Sequence, residues 1–350
     1  MSLQGLLMAK QPVKKDSVED ELAKLRAEIS KDLGQPIFFG SDEGLRLRKM
    51  PIGISAIDHV LAGGFAFDRV SLIVGEFSAG KTLLAMFALK AAQELGLTCA
   101  YIDGEKTWTE EWATILGVDA SKVLVVRPRT GEDAFNAAVG LVRRKLGFLI
   151  IDSLASLRPT AEYDADESEM HQKKHMGGHA QLVGLGLSHI EAENQGTLVI
   201  AINQLRSTVG ISYGNPETIP GGKAQQYIAW QLIRVRRGQW IEEEGKRVGY
   251  KLKVRVEKSK QSEPFRETEV PYYFRGEIDE IAGTLELGLE IGAITKDRSY
   301  YMIDIVNPDT GEIVQEKFYG RGRLLEAFKS RQDLQDAVNA KINSVEEIEL

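Results

Sequence analysis

The chain has 350 residues, enough for one large folded core with appendages or for two domains. It is 43% hydrophobic and 27% charged, as globular proteins are, and its formal net charge of -7 argues against non-specific coating of nucleic acid while allowing a local basic groove. Its one cysteine, Cys99, excludes an internal disulfide and indicates a reducing compartment, so we expect a cytoplasmic protein. No segment has the length and purity of a membrane span, so we expect no membrane partner.

Residues 1–40 are predicted to form an N-terminal arm. Its helix is predicted over residues 17–33, with Ser17 as the N-cap and an apolar stripe of Leu22, Leu25 and Ile29. Residues 36–39 are predicted to form a short strand. An isolated helix and strand must bury that stripe, either on their own core or on a neighbouring subunit.

A core is predicted over residues 41–278, and from residue 50 to about 275 predicted strands alternate with helices. Near-continuous apolar strands separated by helices predict a mainly parallel sheet covered on both faces, and therefore an α/β core. The strands are predicted at 70–74, 98–103, 123–127, 148–152 and 197–203, and the helices at 81–95, 110–116, 131–145 and 178–193. Later strands, at 228–236, 250–256 and 268–274, are predicted to add antiparallel, and residues 279–350 to form a small α+β appendage.

The octet at residues 75–82 fits G-x-x-x-x-G-K-[ST], the phosphate-binding P-loop, between a predicted strand and a predicted helix. Its glycines let backbone N–H groups surround a phosphate, its lysine reaches the β- and γ-phosphates, and its threonine offers a hydroxyl to Mg²⁺. The predicted ligand is therefore ATP with Mg²⁺. The residues are Gly75, Glu76, Phe77, Ser78, Ala79, Gly80, Lys81 and Thr82.

Polar side chains end three of the other predicted strands. Asp152 has the position of a Walker B aspartate that helps to hold Mg²⁺, although a strand-end cap is the alternative. Glu105 follows the strand at 98–103 and is placed either to activate a water against the γ-phosphate or as a solvated loop acid. Gln204 follows Asn203 at the end of the strand at 197–203, where an amide can sense the γ-phosphate.

Two long segments without periodicity, 158–178 and 206–222, follow the strands that end near Asp152 and Gln204. Long loops in compact domains are usually functional or disordered, so this pair suggests a ligand surface switched by ATP. His171, His175 and His179 have helical spacing, but with no cysteine nearby we do not expect a metal site there.

Taken together, these motifs resemble the RecA recombinases of bacteria and phages over roughly residues 17–280. Residues 75–82 resemble the family's P-loop, 101–105 its catalytic-glutamate segment and 151–162 its Walker B stretch. The most specific similarity is the string 202–206 running into 214–218, which resembles the allosteric glutamine followed by the second DNA-binding loop. Residues 175–177 are similar to the tip of the first DNA-binding loop, and 256–260 to the paired-lysine segment.

The resemblance implies roles for individual residues. Glu105 would be the general base and Gln204 the γ-phosphate sensor. Lys258 and Lys260 would reach the neighbouring subunit's ATP site, unless they are two solvated strand lysines. Trp112 would stack on adenine, unless it is a core residue. The residues implied to contact DNA are Met176, Arg206, Val209, Gly210, Ile211, Tyr213, Gly221 and Gly222.

The implied protein is a DNA-dependent ATPase that forms filaments on single-stranded DNA and exchanges strands with duplex DNA. The arm at 1–40 would be its polymerisation arm, so its partners would include copies of itself. Gln226, where a lysine is usual at the subunit interface, and Gln181, where the first loop tends to be basic, depart from the family pattern. A hexameric RecA-fold helicase and a recombination mediator without strand exchange remain the alternatives.

Overall fold

The computed structural model describes residues 15–163, 177–207, 217–306 and 310–348. The helices are α1 (Lys15–Leu33), α2 (Ser55–Val60), α3 (Lys81–Glu94), α4 (Glu110–Ile115), α5 (Gly131–Arg143), α6 (Thr160–Tyr163), α7 (Gly178–Glu193), α8 (Ala224–Ile228), α9 (Glu280–Glu290), α10 (Gly320–Ser330) and α11 (Gln332–Ile348). The strands are β1 (Lys49–Met50), β2 (Phe65–Ala66), β3 (Arg69–Gly75), β4 (Cys99–Asp103), β5 (Val123–Val126), β6 (Phe148–Asp152), β7 (Leu198–Gln204), β8 (Arg206–Ser207), β9 (Glu217–Thr218), β10 (Gln231–Glu243), β11 (Lys246–Ser259), β12 (Glu267–Tyr273), β13 (Glu277–Ile278), β14 (Ile294–Asp297), β15 (Tyr300–Val306) and β16 (Ile313–Tyr319).

The chain separates into two compact units, Met1–Arg48 and Lys49–Leu350. In the first unit α1 begins at Lys15, so the prediction of Ser17 as its N-cap is wrong and the helix starts earlier than its apolar stripe suggests. The predicted strand at 36–39 is also wrong, because no segment of the described chain pairs with it. The turn after α1 is instead fixed by Asp42, which accepts from the N–H of Phe39 and pairs with Arg26 at 3.3 Å.

A nine-stranded sheet forms the centre of the second unit, in the order β13-β12-β11-β10-β3-β7-β6-β4-β5. The strands β3, β7, β6, β4 and β5 are parallel to one another, as predicted, and β10 is also parallel to β3. Successive residues of β3 face opposite sides, with Ile73 packing in the apolar cluster that contains α3 and Leu72 in the one that contains α5 and α7. Both faces are therefore covered, which confirms the predicted α/β core. Cys99 lies buried in it, and burial raises the pKa of its thiol to about 11.

The strand predicted at 228–236 differs from the observed β10. Ile228 ends α8, and β10 lies parallel to β3 instead of adding antiparallel. The helix supplies the crossover that a parallel strand needs, and its five residues were too short to be recognised in the sequence. The hairpin from β10 to β11 turns at Glu244 and Gly245, both of which have positive φ, as is common in two-residue hairpin turns.

The C-terminal region combines α9, α10 and α11 with a three-stranded sheet, β14-β15-β16, as the α+β prediction requires. Helix α9 lies so close to β12 that a Cβ on Gly283 would be 3.1 Å from Val270. Leu285, Phe328 and Val338 belong to the same apolar cluster as Val270, so the core continues past residue 278. Within the described ranges, no helix has the length and apolarity needed to cross a membrane.

Candidate nucleotide-binding site

The P-loop connects β3 to α3 and needs glycine at both ends for different reasons. Gly80, just before α3, has φ +98°, a left-handed conformation that favours glycine. A Cβ there would also lie 2.6 Å from Leu252. Gly75 needs no unusual φ, but a Cβ on it would lie 2.3 Å from the carbonyl oxygen of Val235 on β10. The loop is therefore held tightly between α3 and the β10–β11 hairpin.

Lys81 is the first residue of α3 and its side chain lies inside the loop. Its Nζ donates to the carbonyl oxygen of Glu76 at 2.7 Å, and the residue is buried. Burial lowers the pKa of Lys81, while the charges of Asp152 and Glu105 oppose that shift. A buried ammonium at the N-terminus of a helix is placed to bind an anionic phosphate.

Asp152, at the end of β6, lies next to the P-loop as predicted. Its Oδ2 accepts from the Thr82 hydroxyl at 2.7 Å and from the Tyr101 hydroxyl at 2.7 Å. Burial raises the pKa of Asp152, and both hydrogen bonds oppose the increase. A threonine hydroxyl and a carboxylate are hard oxygen donors that fit Mg²⁺, which keeps several waters and binds through few protein groups. Among the described residues, no cluster of three or more His, Cys, Asp and Glu side chains could hold a metal ion.

Glu105 and Asp103 make different contacts. Its Oε1 accepts from the Ser153 hydroxyl and, at 2.9 Å, from Nε2 of Gln204. Asp103 instead holds the following turn, because its carboxylate accepts from the N–H groups of Thr107 and Trp108. Of the two carboxylates that end β4, only Glu105 lines the cavity beside the P-loop.

That cavity has a volume of about 480 Å³. It is lined by Phe77, Ser78, Ala79, Gly80, Lys81, Thr82, Leu83, Glu105, Trp112, Asp152, Gln204, Arg237, Trp240, Tyr250, Tyr272 and Phe274. Trp112 is partly buried and also packs against the core, so both roles considered for it are compatible with its position. The aromatic wall formed by Trp240, Tyr250 and Phe274 was missed in the sequence. For Trp240 the reason is a register shift between Arg237 and Trp240, which breaks the alternation along β10.

The strand end that carries Gln204 also holds the base of the second long segment. Asn203 Nδ2 donates to the side chain of Gln225 at 2.7 Å and to the carbonyl oxygen of Pro220 at 2.8 Å. Gln225 Nε2 donates in turn to the carbonyl oxygens of Pro220 at 2.5 Å and Gly222 at 2.9 Å. Asn203 and Gln225 are both fully buried. We call this set of hydrogen bonds the amide clasp.

Comparison with known proteins agrees with this geometry, since residues 20–279 match the model of the RecA N-terminal domain. The chain belongs to the RecA family. It is 33% identical to Protein RecA of Corynebacterium aurimucosum over 335 residues, which cover 94% of this chain and 85% of that protein. It is 35% identical to Protein RecA of Frankia casuarinae over 292 residues, covering 82% and 83% of the two chains. Protein RecA of Thermus aquaticus is 33% identical over 334 residues, covering 94% of each.

The RecA-like segment at 206–222 is described only at its two ends. Arg206 is exposed at the start of β8 and lies opposite Thr218 on β9, so the base of the segment is a short antiparallel pair. Gly221 and Gly222 have φ +88° and +76° beside the amide clasp. The other residues predicted to contact DNA lie outside the described residues: Met176, Val209, Gly210, Ile211 and Tyr213. His171 and His175 also lie outside them, while His179 contacts the carbonyl oxygen of Leu154.

The paired lysines do not line the cavity beside their own chain's P-loop. Lys258 Nζ donates to the carbonyl oxygens of Gln226, Tyr227 and Ala229 at 2.7–3.0 Å, where α8 ends. Burial lowers the pKa of Lys258, and the neighbouring charge of Lys260 lowers it further. A role in a neighbouring subunit's site therefore stays a prediction.

Proposed function

We propose that this chain is an ATP-dependent recombinase that forms filaments on single-stranded DNA and catalyses homologous pairing and strand exchange in recombination and repair. The observation that carries the proposal is the end of β7. Gln204 contacts Glu105 inside the nucleotide cavity, and the adjacent Asn203 holds the base of the segment expected to bind DNA. Because Gln204 and Asn203 are adjacent at the end of β7, a nucleotide that moves Gln204 would also affect the amide clasp and the segment that the clasp holds.

The ATPase roles follow from the cavity. Lys81 binds the β- and γ-phosphates, and Thr82 with Asp152 would hold Mg²⁺, which neutralises charge on the phosphates when bound. Glu105 orients a water and accepts its proton as the water oxygen attacks the γ-phosphorus. The bond from that phosphorus to the bridging oxygen breaks, giving ADP and phosphate. Gln204 exchanges its contact with Glu105 for one with the γ-phosphate.

The DNA-binding role rests on the two segments that follow Asp152 and Gln204. Arg206 and the backbone N–H groups of Gly221 and Gly222 bind the phosphate backbone of a single strand. Met176 and either Val209 or Ile211 wedge between bases. Homology is then tested by base pairing between strands, so the protein reads little sequence itself.

Assembly into a filament is supported by apolar surface in each compact unit. Along α1, side chains including Leu22, Leu25 and Ile29 are 43–47% exposed. In the second unit, β5 is an edge of the large sheet, and Leu124 on it is 61% exposed. An exposed sheet edge can pair with another chain, and a contiguous exposed apolar stripe marks an interaction site, so neighbouring copies of the chain are expected to cover both. A head-to-tail interface of this kind produces an open helix of subunits.

The test is strand exchange between a circular single strand and a homologous linear duplex, with ATPase measured in parallel. The wild-type chain is expected to exchange strands only with ATP, and Lys81→Ala to abolish hydrolysis. Gln204→Ala is expected to bind nucleotide but to lose the dependence of DNA binding on ATP. Gln239→Ala, which removes an exposed glutamine from β10, is the matched control.

Three outcomes would refute the proposal or its parts. Filaments and DNA-stimulated ATPase without strand exchange would indicate a mediator. Unwinding of duplexes by closed rings would indicate a helicase. Unchanged DNA-stimulated ATPase in Lys81→Ala would refute the P-loop assignment.

A further inference from the structure

Tyr101 lies outside both phosphate-binding motifs, yet it contacts the centre of the site. It is on β4, is 1% exposed, and its hydroxyl donates to Asp152 Oδ2 at 2.7 Å. Its ring packs on Trp108 with 4.9 Å between ring centroids. A buried aromatic side chain with two rotatable bonds is a rigid support for the hydrogen bond that it makes.

The carboxylate of Asp152 receives two donors on a single oxygen. Tyr101 and Thr82 both use Oδ2, each at 2.7 Å, and they approach from different elements, β4 and α3. Two such bonds fix the rotation of the carboxylate about its terminal torsion, and neither donor uses Oδ1. Thr82 is itself expected to bind Mg²⁺, whereas the Tyr101 hydroxyl donates to Asp152 from the buried side of the site.

We propose that Tyr101 is a positioning residue, whose hydroxyl fixes the Asp152 carboxylate so that Oδ1 is presented to the Mg²⁺ of a bound nucleotide. The inference rests on the proposed function, because it requires Mg²⁺ and nucleotide in this cavity. Partners that orient a carboxylate toward a metal typically change metal affinity or activity by about 10–100-fold when removed.

Tyr101→Phe tests this role by removing one oxygen atom and keeping the ring. The affinity for ADP is measured by calorimetry with Mg²⁺ and with EDTA, so the readout is binding and not turnover. With EDTA, the variant is expected to bind ADP within about twofold of wild type, which also shows that its cavity is intact. The gain in affinity caused by Mg²⁺ is expected to fall about tenfold. Tyr301→Phe, in another largely buried tyrosine on β15, is the matched control and should keep the full gain.

A double-mutant cycle separates positioning from a general structural effect. If Tyr101 acts through Asp152, then Tyr101→Phe should change the Mg²⁺-dependent gain by less than about twofold in an Asp152→Asn background. Two results would overturn the inference while leaving the proposed function intact. One is that Tyr101→Phe reduces the Mg²⁺-dependent gain in ADP affinity equally in the wild-type and the Asp152→Asn backgrounds. The other is that Tyr101→Phe keeps the full Mg²⁺-dependent gain. A wild-type chain whose ADP affinity does not respond to Mg²⁺ would overturn the proposed function and this inference together.

Discussion

The amide clasp should connect stability to DNA binding, and Gln225→Leu tests this directly. Leucine has nearly the same volume but cannot make the three hydrogen bonds of the Gln225 side chain. At about 1 kcal/mol each, their loss costs roughly 3 kcal/mol. Burial of the more apolar side chain offsets about 1 kcal/mol of this. We therefore expect a net loss of about 2 kcal/mol, which corresponds to a melting temperature lower by roughly 4 °C.

The functional effect follows from the position of the clasp. Asn203 keeps its bond to Pro220 in Gln225→Leu, but the base of the segment loses its connection to α8. If about 1.4 kcal/mol of the clasp energy depends on nucleotide state, the ATP-dependent gain in affinity for single-stranded DNA falls about tenfold. Fluorescence anisotropy of a labelled oligonucleotide, with a non-hydrolysable ATP analogue and without nucleotide, measures that gain.

The neighbouring Gln226→Leu is the control for stability in the free chain. Within the described residues its side chain makes no hydrogen bond, so its melting temperature should change by less than about 2 °C. A Gln225→Leu chain with wild-type stability would show that the clasp is energetically unimportant. A destabilised chain whose DNA binding responds normally to nucleotide would show that the clasp holds the fold without coupling the two sites.

Three further predictions concern the P-loop and the paired lysines. Lys81→Met should stabilise the nucleotide-free chain. Burial lowers the pKa of Lys81, which means that folding disfavours the charged form, and the wild type is therefore less stable at any pH where this lysine is charged. The gain in stability of Lys81→Met over the wild type should be largest at pH values below the lowered pKa of Lys81. It should shrink as the pH rises toward 10.5, where the lysine of the unfolded wild-type chain also loses its proton. A difference in melting temperature that does not change with pH would contradict this prediction. Gly80→Ala should lower the free energy of unfolding by more than about 2 kcal/mol and abolish ADP binding. The control Gly96→Ala, at a position with φ +73° but open space around it, should lower the free energy of unfolding by only about 1 kcal/mol. Equal losses in the two variants would refute the steric argument. Lys258→Ala combined with Lys260→Ala should preserve nucleotide binding by free monomers and lose DNA-stimulated turnover, and normal turnover would exclude action on a neighbouring subunit.

The sequence predicted the parts of the site that are set by local motifs. The P-loop, Asp152 and Gln204 come together because the carboxyl ends of parallel strands share one edge of a sheet. The prediction that these residues meet therefore required only the parallel arrangement of the strands and no knowledge of side-chain contacts. Glu105 remained ambiguous in the sequence, since its distance from Gln204 depends on how the turn after β4 folds. Asp103 fixes that turn, and no pattern in the sequence distinguishes it from a second candidate carboxylate of the site.

The contacts that the sequence did not reveal join residues far apart in the chain. Tyr101 and Asp152 are 51 positions apart, and Asn203 and Gln225 are 22 apart. Which side chains meet at such distances depends on strand register and on the exact position of α8, a five-residue helix with no clear periodicity. The strand predicted at 36–39 failed for a related reason, because pairing depends on a partner and not on the segment's own composition.

The apolar cluster that runs without interruption from β12 into α9 and α11 has a practical consequence for anyone wishing to prepare a minimal ATPase. A recombinant product ending after Ile278 would leave Val270 and its neighbours facing water, although the nucleotide-binding motifs would all be present. Such a fragment is expected to accumulate in inclusion bodies, and a shortened version meant for crystallisation or calorimetry should retain the chain at least through Ile342.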